Sequence, residues 1–127
     1  MNILLVEPDK SLAHVYRRAF EHASHSVAVA HSAQAAIFSA DEVTPNVVVL
    51  ELQLVAHSGL EFLYEFRSYP EWQTIPVVIL SHVPVGEFAG SWHMLHNLLG
   101  VAAYHYKPLT TLHTLLRTVS QFATVNM

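Results

Sequence analysis

The segment Pro45-Asn46-Val47-Val48-Val49-Leu50-Glu51 places four apolar residues between a turn and a lone carboxylate. A strand that is apolar at every position, not at alternate ones, has both faces covered, which calls for a parallel sheet packed between two layers of helices. Sheets of that kind gather their chemistry outside the carboxyl ends of the strands. Glu51 stands at such an end, and the other pieces of the chain make sense around it.

Three further runs have the same form. Ile3-Leu4-Leu5-Val6 closes on Glu7-Pro8-Asp9, and Ile75-Pro76-Val77-Val78-Ile79-Leu80 stops at Ser81-His82. Val101-Ala102-Ala103-Tyr104-His105-Tyr106 ends at Lys107-Pro108. A weaker run from Ser26 to Ala30 reads as an edge strand. Helical periodicity fills the intervals. Residues 11–21 carry Leu12, Val15, Tyr16, Ala19 and Phe20 on one face, with Asp9 or Ser11 as cap. Ser32 caps a helix with Ala36, Ile37 and Ala40. Gly59 starts a helix with Leu60, Leu63, Tyr64 and Phe66 along one face, ended by Pro70. Residues 87–99 form a helix with Phe88, Trp92, Leu95, Leu98 and Leu99, weakened by Gly90 and closed by Gly100. A last helix, capped by Thr110 or Thr111, turns Leu112, Leu115, Leu116, Val119 and Phe122 inward.

Strand and helix alternate five times without a linker or repeat, so the expected fold is α/β: a five-stranded parallel sheet, doubly wound, with residues 1–127 as a single domain. Composition narrows the function classes. The chain is 52% hydrophobic and 13% charged, which excludes disorder, and its net charge of −4 comes without a Lys/Arg cluster, which argues against a nucleic-acid surface. The absence of cysteine excludes disulfides, thiolate metal sites and thiol catalysis. The chain has neither a signal-peptide pattern nor an apolar run of the ~20 residues a membrane helix needs, so a cytoplasmic domain is expected.

Parallel strands share a direction, so Glu7 with Asp9, Glu51, Ser81 and Lys107 should meet on one rim. Carboxylates, a hydroxyl and a lysine together outline a metal-and-phosphate site. In order and spacing these pieces resemble the receiver domain of two-component response regulators, the chemotaxis-protein fold of flavodoxin-like (α/β)5 type. The resemblance rests on Ile3-Leu4-Leu5-Val6-Glu7, on residues 46–51 with Ser58-Gly59-Leu60-Glu61-Phe62-Leu63, on residues 75–81, and on Tyr104-His105-Tyr106-Lys107-Pro108-Leu109. It implies a phosphorelay role in which a histidine kinase phosphorylates an aspartate after the third strand. Two acidic residues after the first strand would hold magnesium, and a hydroxyl and a lysine would bind the phosphoryl oxygens. The hydroxyl and an aromatic residue would move together as the switch. By this resemblance Glu51 occupies the acceptor position and Glu7 the first acidic position. Ser81, Tyr104 and Lys107 occupy the hydroxyl, aromatic and lysine positions.

The departures from the pattern carry as much information. The acceptor position holds Glu51 instead of Asp, and the second acidic position holds Pro8, with Asp9 one step late. Val55 replaces a usual proline, and His82 a usual small residue. In-line phosphoryl transfer loses ~100-fold in rate for about 1 Å of misplacement, and magnesium wants near-octahedral anionic oxygen ligands. The expectation is therefore an atypical pseudo-receiver that acts as a protein-interaction module without phosphorylation. It would have no catalytic residue, no enzymatic activity and no firmly held cofactor, with Mg²⁺ at most weakly held by Glu7, Glu51 and Gln53. Two roles stay open for Glu51: an ion pair to Lys107 with no part in signalling, or a fixed mimic of the phosphorylated acceptor.

Two alternatives stand beside this reading. One is an ordinary phosphorylatable receiver, forming the amino-terminal part of a DNA-binding transcriptional regulator. The other is a flavodoxin-like cofactor binder, opposed by Glu7-Pro8-Asp9 standing where a Ser/Thr/Gly-rich phosphate loop would be. A histidine kinase or a downstream effector is expected to dock on residues 87–122, where a homodimer is also possible, and Trp92 reads as either a contact or core. The pairs His22/His25 and His93/His96 have ligand spacing, but a metal needs a third convergent ligand, so they read as surface histidines.

Overall fold

The computed structural model describes residues 1–125, without the side chains of Phe88, Ala89, Thr124 and Val125. Five strands form one parallel sheet: β1 (Asn2–Val6), β2 (Ser26–Ala30), β3 (Val47–Leu50), β4 (Val77–Ser81) and β5 (Val101–Tyr106), in the order β2-β1-β3-β4-β5. The helices are α1 (Lys10–His22), α2 (Ala33–Glu42), α3 (Gly59–Ser68), α4 (Trp92–Asn97) and α5 (Leu112–Val125). The order reverses direction between β1 and β3, the crevice position of a doubly wound sheet.

Alternation along each strand builds two cores. Leu4, Val6, Val48, Leu50 and Ile79 face α2, α3 and α4 together with Phe62, Phe66 and Trp72. Ile3, Leu5, Val47, Val49 and Val78 face α1 and α5 together with Phe20, Leu115 and Val119. Every residue of β3 is buried, as its unbroken apolar run requires. β2 lies at the sheet edge with alternating burial.

The helix starts follow from short polar side chains that accept backbone N–H groups. The Asp9 carboxylate accepts from Ser11 and Leu12, the Ser32 hydroxyl from Ala35, and Ser58 with Glu61 forms a reciprocal capping box on α3. Thr111 accepts the amide of Thr114. Gly59 is pressed against the loop after β3, since a Cβ there would lie 2.6 Å from Leu52 Cα.

Three expectations need correction. The helix expected over residues 87–99 is a 3₁₀ stretch, Val85–Ser91, followed by the short α4. Gly86 and Gly90 have open space at their Cβ positions, and Ser91 makes no side-chain cap, so neither packing nor capping supports a longer helix there. Phe88 lies outside the described side chains. Trp92 is not core: it is 37% exposed and stacks on His96. Tyr64 and Val15 point outward, and the inner faces of their helices run through Phe62, Leu63 and Phe66 and through Ala13 and Phe20 instead.

Gly100 adopts φ +65° immediately before β5, and a Cβ there would meet the Arg67 guanidinium at 2.4 Å. Arg67 donates to the carbonyls of Leu99 (2.8 Å), Trp72 (2.6 Å) and Gly100 (3.2 Å), tying α3 to the start of β5. A register shift between Val77 and Val78 skips Ala102 in the β4–β5 ladder. It sets Tyr104 opposite Ile79 on the α2–α4 side of the sheet and Tyr106 opposite Ser81. Because side chains alternate along a strand, this one-residue slip decides which β5 residues reach the rim.

Candidate functional site

The parallel ladders run one residue past the strands at the rim. The Glu7 amide donates to the Ala30 carbonyl and the Glu51 amide to the Val6 carbonyl, so both backbones are held before their side chains begin. Ser81 ends β4 and Lys107 follows β5. All four are buried, with Glu51 only 3% exposed.

Lys107 Nζ lies 2.5 Å from Glu7 Oε1 and 2.7 Å from Glu51 Oε1. Glu51 Oε1 also accepts the His82 amide at 3.2 Å and lies 3.3 Å from His82 Nδ1. Its other oxygen, Oε2, accepts the Ser81 hydroxyl and the Gln53 amide, the latter at 3.1 Å. Glu7 Oε2 accepts the Asp9 amide at 3.1 Å. A carboxylate offers about four lone-pair sites; these contacts fill those of Glu51. Among the described residues no buried side-chain N or O lacks a hydrogen-bond partner.

Burial pushes the Glu51 carboxyl up, but hydrogen bonds from Lys107, Ser81 and the Gln53 amide outweigh it and hold the group below its ordinary 4.5. For Lys107 burial pulls down, and the bonds to Glu51 and Glu7 reverse the direction, leaving the ammonium above its ordinary 10.5. Glu51 and Lys107 are thus both charged near neutrality. Such a buried pair is stable only while each member keeps its partners.

Tyr104 is half-buried against the α2–α4 core, and its hydroxyl donates to the Val83 carbonyl at 2.5 Å. Burial, with Glu51 and Glu87 nearby, pushes its pKa up to about 12, so it stays a donor. The Val83 amide in turn donates to the Ser81 hydroxyl at 3.1 Å. Glu51, Ser81, Val83 and Tyr104 therefore form one continuous chain of hydrogen bonds from the rim to β5.

The structure separates the other residues singled out in the sequence from this cluster. The Asp9 carboxylate is exposed and engaged in capping α1, so it lies outside the acidic pocket. Gln53 contributes its backbone amide, and the residue is exposed. His25 faces the amino terminus at 3.4 Å, His93 meets Asn97, and His96 meets the Val101 carbonyl at 3.0 Å. Among the described residues no group of three His, Asp or Glu is arranged to hold a metal. One contact was not anticipated: His31 Nδ1 lies 2.9 Å from the Glu7 carbonyl. His31 is 24 residues from Glu7 in sequence, and only the pairing of β2 with β1 joins them. On the expected partner surface, Trp92, Leu98, Leu109 and Leu112 are all exposed.

A five-stranded doubly wound sheet with carboxylates, a hydroxyl and a lysine on its carboxyl rim defines the receiver class of signalling domain. Residues 3–89 match the family model described as the response regulator receiver domain, and the chain belongs to that family. The chain is 30% identical over 80 residues to the KDP operon transcriptional regulatory protein KdpE of Escherichia coli, covering 63% of this chain and 34% of that protein. The chemotaxis protein CheY4 of Vibrio cholerae has a similar structure, with TM-score 0.83 at 19% identity over 95% of this chain and 97% of its own. The receiver domain of the Francisella response regulator 1452 also gives TM-score 0.83, at 21% identity over 99% and 98%. The chain spans about a third or less of the curated relatives it matches. Among the described residues no helix is long and apolar enough to cross a membrane.

Proposed function

We propose that this receiver domain works as a cytoplasmic protein-interaction module whose conformation is set by its own residues and not by phosphorylation. The observation that carries the reading is the filled coordination of Glu51, whose two oxygens are already engaged by Lys107, Ser81, His82 and the Gln53 amide. A nucleophile needs a free lone pair aimed at phosphorus, and none is left. The donor set also does not fit magnesium. The position between Glu7 and Glu51 belongs to the Lys107 ammonium, Pro8 has no donor, and Asp9 is turned to α1. In this reading Glu51 takes the part of the phosphorylated acceptor, as the anion that Ser81 and Lys107 hold. The chain of bonds through Val83 keeps Tyr104 packed inward. The surface presented to a histidine kinase or effector is the α4-β5-α5 region with Trp92 and Leu98.

The test is incubation with a small acyl phosphate and Mg²⁺, followed by intact mass. No phosphoryl adduct is expected; a stoichiometric adduct lost in Glu51→Gln overturns the proposal. A second reading is favoured by KdpE being a transcriptional regulatory protein. In it, the domain is the phosphorylatable input part of a DNA-binding transcriptional regulator, and that adduct is the result it requires.

A further inference from the structure

Away from the rim, α2 and α3 diverge over a cavity of about 680 Å³, within the roughly 300–1,000 Å³ of ligand sites. Ile37 and Phe38 of α2 and Tyr69 after α3 supply its apolar wall, and Phe38 is 67% exposed. A single exposed apolar side chain is ordinary, but Phe38 stands with Ile37 and Tyr69 on one concave wall. Asp41, Glu61 and Glu65 supply carboxylates, Glu61 paired at 3.2 Å with His57 of the same lining, and no Lys or Arg is among the described lining residues.

Charge is segregated across the molecule. The exposed cations Lys10, Arg17, Arg18 and Arg117 all lie on α1 and α5, against the other core. Arg67, the cation of α3, is turned to the carbonyls of Leu99, Trp72 and Gly100 and does not offset the groove. Along α3 and its C-cap the lining runs from Glu61 to Tyr69, eight steps or ~12 Å at 1.5 Å per residue, enough for about two turns of a docked helix. A groove with apolar walls and an acidic rim complements a helix with one apolar face and basic flanks.

We propose that the α2–α3 groove binds a basic amphipathic helix of a partner protein, with an apolar anchor against Phe38 and Ile37 and Lys or Arg side chains on Asp41 and Glu65. This face is separate from the α4-β5-α5 region and does not depend on the state of Glu51. The experiment is fluorescence anisotropy of the whole chain with a labelled 14-residue Leu/Lys amphipathic helix, compared with the Leu/Glu helix of the same pattern. The basic helix is expected to bind at least ten-fold more tightly than the acidic one. Phe38→Ser, or Asp41→Lys with Glu65→Lys, should lower its affinity at least ten-fold, whereas reversal of exposed Glu71, outside the groove lining, should leave affinity within two-fold. Retention of affinity in Phe38→Ser, or equal loss in Glu71→Lys, overturns the proposal. So does self-association of the chain that is abolished by Arg17→Glu with Arg18→Glu, since the occupant would then be a second copy's α1.

Discussion

The molecule uses carboxylates in two contrasting places. At the rim, Glu7 and Glu51 are dehydrated and every oxygen has a named partner. In the α2–α3 groove, Asp41, Glu61 and Glu65 stand in water. Glu61, like Glu51, is held below the ordinary carboxylate value, by hydrogen bonds from His57 and the Ser58 amide. The direction is shared but the consequence is not. A charge in water is solvated whether or not it finds a partner, so its pairing adds little to folding and remains available for binding. A charge taken out of water is tolerable only while paired, so its partner becomes a condition of folding.

The contrast is broken most directly by Lys107→Met. It fills similar space but leaves two buried carboxylates without a counter-ion. A loss of about 3–5 kcal/mol is expected, measured by urea denaturation at neutral pH. A loss below about 1 kcal/mol would show that water reaches the rim and that inner and outer carboxylates differ less than their burial implies.

Acid gives the next largest effect. The folded Glu51 pKa is depressed, so its contribution is present above the unfolded value of 4.5 and is lost as pH falls through the folded value. The Lys107 pKa is raised, so its contribution is present below 10.5 and is lost as pH rises through the folded value. The rim should therefore stabilise the fold between these limits and weaken beyond both. Thermal melts should show wild type losing stability below pH 4.5 while Lys107→Met shows a flatter profile there. Parallel curves would place the acid sensitivity elsewhere.

The smallest effect belongs to the outer set. Asp41→Asn and Glu65→Gln should each change stability by no more than about 0.5 kcal/mol, as exposed substitutions do. A larger loss in the same urea assay would mean that the groove carboxylates hold α2 against α3.

The fold was legible because β1, β3 and β4 carry the unbroken apolar runs 3–6, 47–50 and 77–80, a pattern with few other solutions. Residues 85–97 were not legible, since Gly86, Gly90 and an uncapped Ser91 leave helix type to weak local preferences. At the rim the residue types and their convergence could be read, but not their connections. That Lys107 serves both carboxylates depends on the register shift at Ala102, which no local pattern announces. Asp9 looked equally acidic in sequence, yet helix capping took its side chain away. The groove lies between α2 and α3, successive helices separated by β3, and only their packing on the sheet reveals it.

The shared ammonium of Lys107 also bears on how such a site could change over generations. Restoring Asp at position 51 alone withdraws the carboxylate by a methylene from Ser81 and Lys107 while Pro8 still offers no ligand. Because one ammonium serves both Glu7 and Glu51, a change at either carboxylate is felt at the other, and the two positions are tied together through Lys107.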